Sequence, residues 1–162
     1  MEYSAALKVA QRVLDELKPH CYRVAIAGSI RRRKAYVKDI EIVVIPKPYD
    51  VGLFVSGFAE VVNQWPMVKG ELPCFYTQRE LPEGIKLDLF IAEPGNWGLQ
   101  YAIRTGPAEY SHKVLATGWV KRGYHSEHGY LRKDGKKIGV AEEEELFRLI
   151  GIKYVPADRR FV

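Results

Sequence analysis

Apolar residues recur at helical spacing from the start of the chain. Leu7, Ala10, Leu14 and Leu17 predict a helix over residues 4–18, with Ser4 able to cap it and Pro19 beyond its end. The period then shortens. Residues 22–27 read as a strand. Residues 39–45 read as a second, in which Ile40, Ile42 and Val44 alternate with Asp39, Glu41 and Val43 until Pro46 and Pro48 stop it. Residues 51–63 are expected to be helical in spite of Gly57. Two further strands, 74–79 and 85–92, meet through Pro82-Glu83-Gly84.

The segment Glu93-Pro94-Gly95-Asn96 breaks the pattern and marks a domain boundary. Beyond it, helices are predicted at 97–104 and 108–121, split by Gly106-Pro107. Strands at 130–133 and 136–140 flank Asp134-Gly135, a two-residue hairpin signal, and a helix with an acidic first turn follows at 142–150. Strands mixed with helices imply an α+β fold: residues 1–92 as a mixed β-sheet with helices on one face, and residues 93–162 as a small α+β unit.

The 162 residues carry a net charge of +5, which favours an anionic partner. No apolar run approaches the ~20 residues of a membrane span, and the N-terminus lacks a signal-peptide core. Cytoplasmic residence and no membrane partner are expected. Cys21 and Cys74 have no metal-ligand spacing and are expected to be reduced and partly buried. His125 and His128, three apart with no cysteine partner, are a weak basis for zinc.

Charge matters most where it is concentrated. Ala27-Gly28-Ser29 leads into Arg31, Arg32, Arg33 and Lys34, and Asp39 and Glu41 follow inside an apolar run. Side chains two apart on a strand share a face, so the two carboxylates point together. Facing carboxylates repel unless a cation lies between them, and hard divalent ions carrying substrate phosphates suit that place. Asp88 stands alone on an apolar strand, where an unpaired carboxylate is costly. If that strand lies beside the first, Asp88 completes a three-carboxylate cluster. The alternatives are an ordinary strand–helix turn at Gly28-Ser29 and a solvated strand edge for the carboxylates.

Gly28-Ser29, then Asp39 and Glu41, then Asp88, resembles the nucleotidyltransferase signature, and more narrowly the family X DNA polymerases. Thr105-Gly106, seventeen residues after Asp88, resembles that family's entry into the thumb. The segment from Gly106 to Val120 and the tail from Glu143 to Pro156 resemble its nascent-base-pair helix and closing helix. The resemblance covers nearly the whole chain. It implies a nucleotidyltransferase-type palm (1–92) and a thumb (93–162), acting as a monomer on gapped or primer–template DNA and a dNTP.

The resemblance also implies roles. Asp39, Glu41 and Asp88 would be catalytic and would hold two Mg²⁺ ions, with Mn²⁺ as a substitute. Asp88 would serve the ion beside the primer 3′-hydroxyl. Gly28, Ser29, Arg32, Thr105 and Gly106 would bind the nucleotide. Lys86, Lys113, Lys121 and Arg122 would meet DNA. Because the chain opens at the palm helix, a palm–thumb form without lyase activity is expected.

Some positions depart from the family pattern. Glu41 stands where many members have Asp. Ile103-Arg104 replaces two aromatics at the sugar gate, so weaker discrimination against ribonucleotides is expected. Ala108, Ser111 and Leu115 replace polar or basic groups that meet base or minor groove. The function expected is therefore template-directed filling of short gaps by two-metal-ion nucleotidyl transfer. The alternatives are transfer to another acceptor (an untemplated DNA end, RNA, protein or a small molecule) and a catalytically inactive nucleic-acid-binding module.

Overall fold

The structure, a computed structural model, describes residues 1–49, 51–52 and 54–162. The chain divides into two compact units, Met1–Ile91 and Ala92–Val162. It is an α+β protein: a mixed five-stranded sheet with helices, and a small three-stranded antiparallel sheet.

The first unit runs α1 (Tyr3–Leu17), β1 (Cys21–Ile26), α2 (Gly28–Arg31), β2 (Asp39–Pro46), α3 (Gly57–Asn63), β3 (Met67–Lys69), β4 (Tyr76–Glu80) and β5 (Lys86–Ile91). Its strand order is β1-β2-β5-β4-β3. Among the described residues only β2 and β5 run parallel, and that one pair makes the sheet mixed. Ile40, Ile42 and Val44 of β2 and Leu87 and Leu89 of β5 enter the core with Ala6, Val9, Ala10, Val13 and Leu17 of α1. The buried stripe of α1 is rotated from the one expected: Leu7 and Leu14 are only half-buried.

Two local expectations are corrected. Ser4 does not cap α1; Glu2 holds the N-cap position and makes no side-chain cap bond. The helix expected over 51–63 spans only Gly57–Asn63, because Ser56 caps it by accepting from the Ala59 N–H at 3.3 Å. Gly57 thus opens the helix rather than interrupting it. Residue 53, within the expected range, lies outside the described residues. The strand β3 had no counterpart in the sequence pattern.

The second unit runs α4 (Trp97–Thr105), α5 (Ala108–Tyr110), a π-helical stretch (Ser111–Ala116), α6 (Thr117–Lys121), β6 (His125–Glu127), β7 (Tyr130–Lys133), β8 (Lys136–Ile138) and α7 (Glu143–Leu149). The helix expected over 108–121 is therefore widened at its centre. Asp134 and Gly135 both have positive φ, 53° and 73°, which the β7–β8 turn requires. Glu142 and Glu145 form a capping box at the start of α7. Leu99, Ala102, Tyr110, Leu115, Trp119, Leu131, Leu146 and Phe147 form the core. Within it, Arg160 donates to Glu143 at 2.9 Å and to the Val155 carbonyl.

Among the described residues Cys21, buried, and Cys74, half-buried, form no disulfide. Among the described residues no helix is long and apolar enough to cross a membrane.

Candidate active site

Alternation along β2 buries Ile40 and Ile42 completely and leaves Asp39 and Glu41 half-buried on the other face. The parallel pairing with β5 sets Asp39 beside Lys86 and Glu41 beside Asp88. The structure thus brings Asp39, Glu41, Asp88 and Lys86 to one end of two adjacent strands. Asp88 is only 8% exposed.

Glu41 and Asp39 register their neighbours. Burial pushes the Glu41 carboxyl up to about 7, and Asp88 and then Asp39 add to the shift against Arg32 and the Ser29 backbone N–H. Burial also raises Asp39, helped by Asp88 and opposed by Lys38 and Lys86. Burial lowers the guanidinium of Arg32, while Glu41 opposes that shift. The site is therefore a set of like charges held together, with Arg32, Lys38 and Lys86 as the cations that act on it.

Gly28 and Ser29 open α2, directly after β1. Gly28 has φ +60°, and a Cβ there would overlap the Glu41 carboxylate. Glu41 lies across this turn and accepts the Ser29 backbone N–H. The backbone donor that would serve a phosphate oxygen thus already carries an anion.

Asp88 is held from the other side. Tyr76 Oη donates to Asp88 Oδ1 at 2.6 Å, and Gln78 Nε2 donates to the same oxygen at 2.8 Å. Sequence reasoning missed both partners. The β4 segment is polar on both faces, so periodicity could not say which face meets Asp88; the antiparallel register Gln78↔Asp88 decides it. On the opposite face, Arg79 donates to Thr77 Oγ1, Asn63 Oδ1 and the carbonyls of Val62 and Trp65, which ties β4 to the end of α3.

Among the described residues no group of three His, Cys, Asp or Glu side chains is arranged so that it could hold a metal ion. The donor set still fits hard divalent ions. It offers carboxylate oxygens only, and the repulsion that adds to burial in raising Asp39 and Glu41 is what a cation relieves.

The remaining site residues named from sequence belong to the second unit. Thr105 is fully buried and donates to the Tyr101 carbonyl at 2.7 Å, closing α4, and Gly106 follows with φ 65°. Lys113, Lys121 and Arg122 are exposed, and Lys113 pairs with Glu109 at 2.8 Å. Ser111 Oγ donates to the Ile103 carbonyl at 2.8 Å. Tyr110 and Trp119 are core residues, while Tyr101 and Tyr124 are half-buried.

No family model matches the chain, and no curated protein matches it.

Proposed function

We propose that this chain is a template-directed DNA polymerase of the family X type, adding dNMP to a primer 3′-hydroxyl in short gaps. The observation that carries the proposal is the pairing of Glu41 with Asp88 on parallel neighbouring strands, with Asp39 one step away on the same face. The sequence resemblance supplies the reaction class, and the three carboxylates supply a donor set for it.

In this proposal Asp39, Glu41 and Asp88 would hold two Mg²⁺ ions. When bound, those ions supply Lewis-acid activation of the attacking hydroxyl and neutralise charge on the triphosphate. The chain's own groups do the rest. Arg32 binds and orients the triphosphate, and the Gly28-Ser29 turn joins it once Glu41 leaves the Ser29 N–H for the metal ions. Lys86, beside Asp39, offers a positive charge to the primer end. The primer oxygen forms its bond to the α-phosphorus as the bond to the leaving pyrophosphate breaks. Lys113, Lys121 and Arg122 contact DNA phosphates. The exposed Lys113–Glu109 pair costs little to break, about 0.3–0.5 kcal/mol for such a spacing.

Primer extension on gapped duplex, with each dNTP supplied separately and Mg²⁺ or Mn²⁺, tests the proposal. Incorporation of only the complementary nucleotide is expected. Incorporation without base choice would shift the assignment to another acceptor, and none with either metal would leave a nucleic-acid-binding module.

A further inference from the structure

The two donors on Asp88 are not in the family pattern that led to the carboxylates, and they are neutral. Tyr76 and Gln78 lie on the same face of β4 and converge on one oxygen, Oδ1, at 2.6 and 2.8 Å. A carboxylate oxygen has two lone-pair sites, and here both are taken. Asp88 therefore has Oδ2 left to offer.

Each donor is itself fixed. The Tyr76 ring stacks on Phe90 with centroids 5.1 Å apart and planes inclined by 22°, and Lys69 Nζ lies 5.6 Å from the ring centroid. Gln78 is the direct strand partner of Asp88. Arg79, between Gln78 and Glu80, anchors the opposite face of β4 to α3 and so holds the register.

The chemistry of the pair suits a cation site. Glu41 stands opposite Asp88, and two anions at paired positions push each other away. Something must hold Asp88 in place. A lysine or arginine could do so, but its charge would oppose the arriving metal ion. A phenol and an amide orient the carboxylate and leave its negative charge uncompensated.

We infer that Tyr76 and Gln78 are positioning residues that lock Asp88 with Oδ2 as its metal-facing oxygen, an inference that rests on the nucleotidyl-transfer reading of Asp88. Partners of this kind typically set metal affinity or activity by about 10- to 100-fold. Tyr76→Phe keeps the stack on Phe90 and removes only the hydroxyl. Gln78→Leu keeps a side chain of similar bulk near the backbone and removes the amide.

The test compares wild type, Tyr76→Phe, Gln78→Leu, the double variant and Asp88→Ala. Bound Mn²⁺ is counted by electron paramagnetic resonance, on gapped DNA with a non-hydrolysable dNTP analogue, so that no turnover is needed. Each single variant should weaken Mn²⁺ binding about 10-fold or more, and the double variant should weaken it further. In turnover, the Mg²⁺ concentration for half-maximal rate should rise while KM for dNTP stays put, and excess Mg²⁺ should restore kcat. If both single variants keep the wild-type melting temperature, Mn²⁺ affinity and Mg²⁺ dependence while Asp88→Ala loses all metal-dependent activity, the positioning role is overturned and the reading of Asp88 stands. If Asp88→Ala itself binds Mn²⁺ and incorporates like wild type, that reading falls and the positioning role with it.

Discussion

The carboxylate of Glu41 lies against the backbone of Gly28. A Cβ built at position 28 would stand 1.5 Å from Glu41 Oε2 and 2.9 Å from Glu41 Cβ. Position 28 thus requires glycine twice, once for this contact and once for its φ of +60°. Gly28→Ala is expected to cost about 1–2 kcal/mol through the left-handed backbone alone. It should also drive the Glu41 carboxylate off the Ser29 N–H. We expect a lower melting temperature and at least about a 100-fold loss of incorporation, roughly 2.7 kcal/mol. Thermal unfolding and single-turnover kinetics check both, and a variant with wild-type rate would make the turn an ordinary one.

Glu41 also sets a pH dependence in the absence of metal. Its folded pKa of about 7 lies above the ordinary 4.5, so the native state binds this proton more tightly than the unfolded chain. The stabilisation is full below the unfolded value and is lost as pH rises through about 7. Each unit of separation corresponds to roughly 1.4 kcal/mol. In EDTA the melting temperature should fall between about pH 5 and pH 8, and Glu41→Gln should flatten that slope. Unfolding curves across this range, with an unchanged slope in the variant, would remove Glu41 as its source.

Much of the site was legible because it sits where local pattern is strong. Ile40 and Ile42 alternating with Asp39 and Glu41 identified β2 and its polar face, and Asp88 stood out among Leu87, Leu89 and Ile91. What the pattern could not carry was pairing. That β4 turns Tyr76 and Gln78 toward Asp88 is fixed by register across the sheet, a relation between distant residues. Short exposed strands were also illegible. Met67–Lys69 and His125–Glu127 bury nothing, so no hydrophobic period marks them. The π-helical widening at Ser111–Ala116 leaves a sequence that reads as ordinary helix. Glu41's turn back onto Ser29 follows from the length of its side chain and from packing, which composition alone does not show.

Binding to DNA should be strongly salt-dependent. If the basic turn and the exposed Lys113, Lys121 and Arg122 together neutralise about four phosphates, the slope of log affinity against log salt should be roughly −3.6. A titration of duplex binding at several salt concentrations measures it directly. Neutralising Lys121 should reduce the slope by about 1. A slope near zero would point to a small-molecule acceptor.

The most direct test is the single-turnover rate of nucleotide addition on a one-nucleotide gap, measured opposite each template base for wild type and Asp88→Ala. Wild type should add the complementary dNMP in preference to the other three. Asp88→Ala should bind the gapped duplex nearly as well yet add nucleotide at least about 10³-fold more slowly, a loss of roughly 4 kcal/mol in transition-state stabilisation. A near-wild-type rate in Asp88→Ala, or equal addition of all four nucleotides by the wild-type chain, would contradict the account.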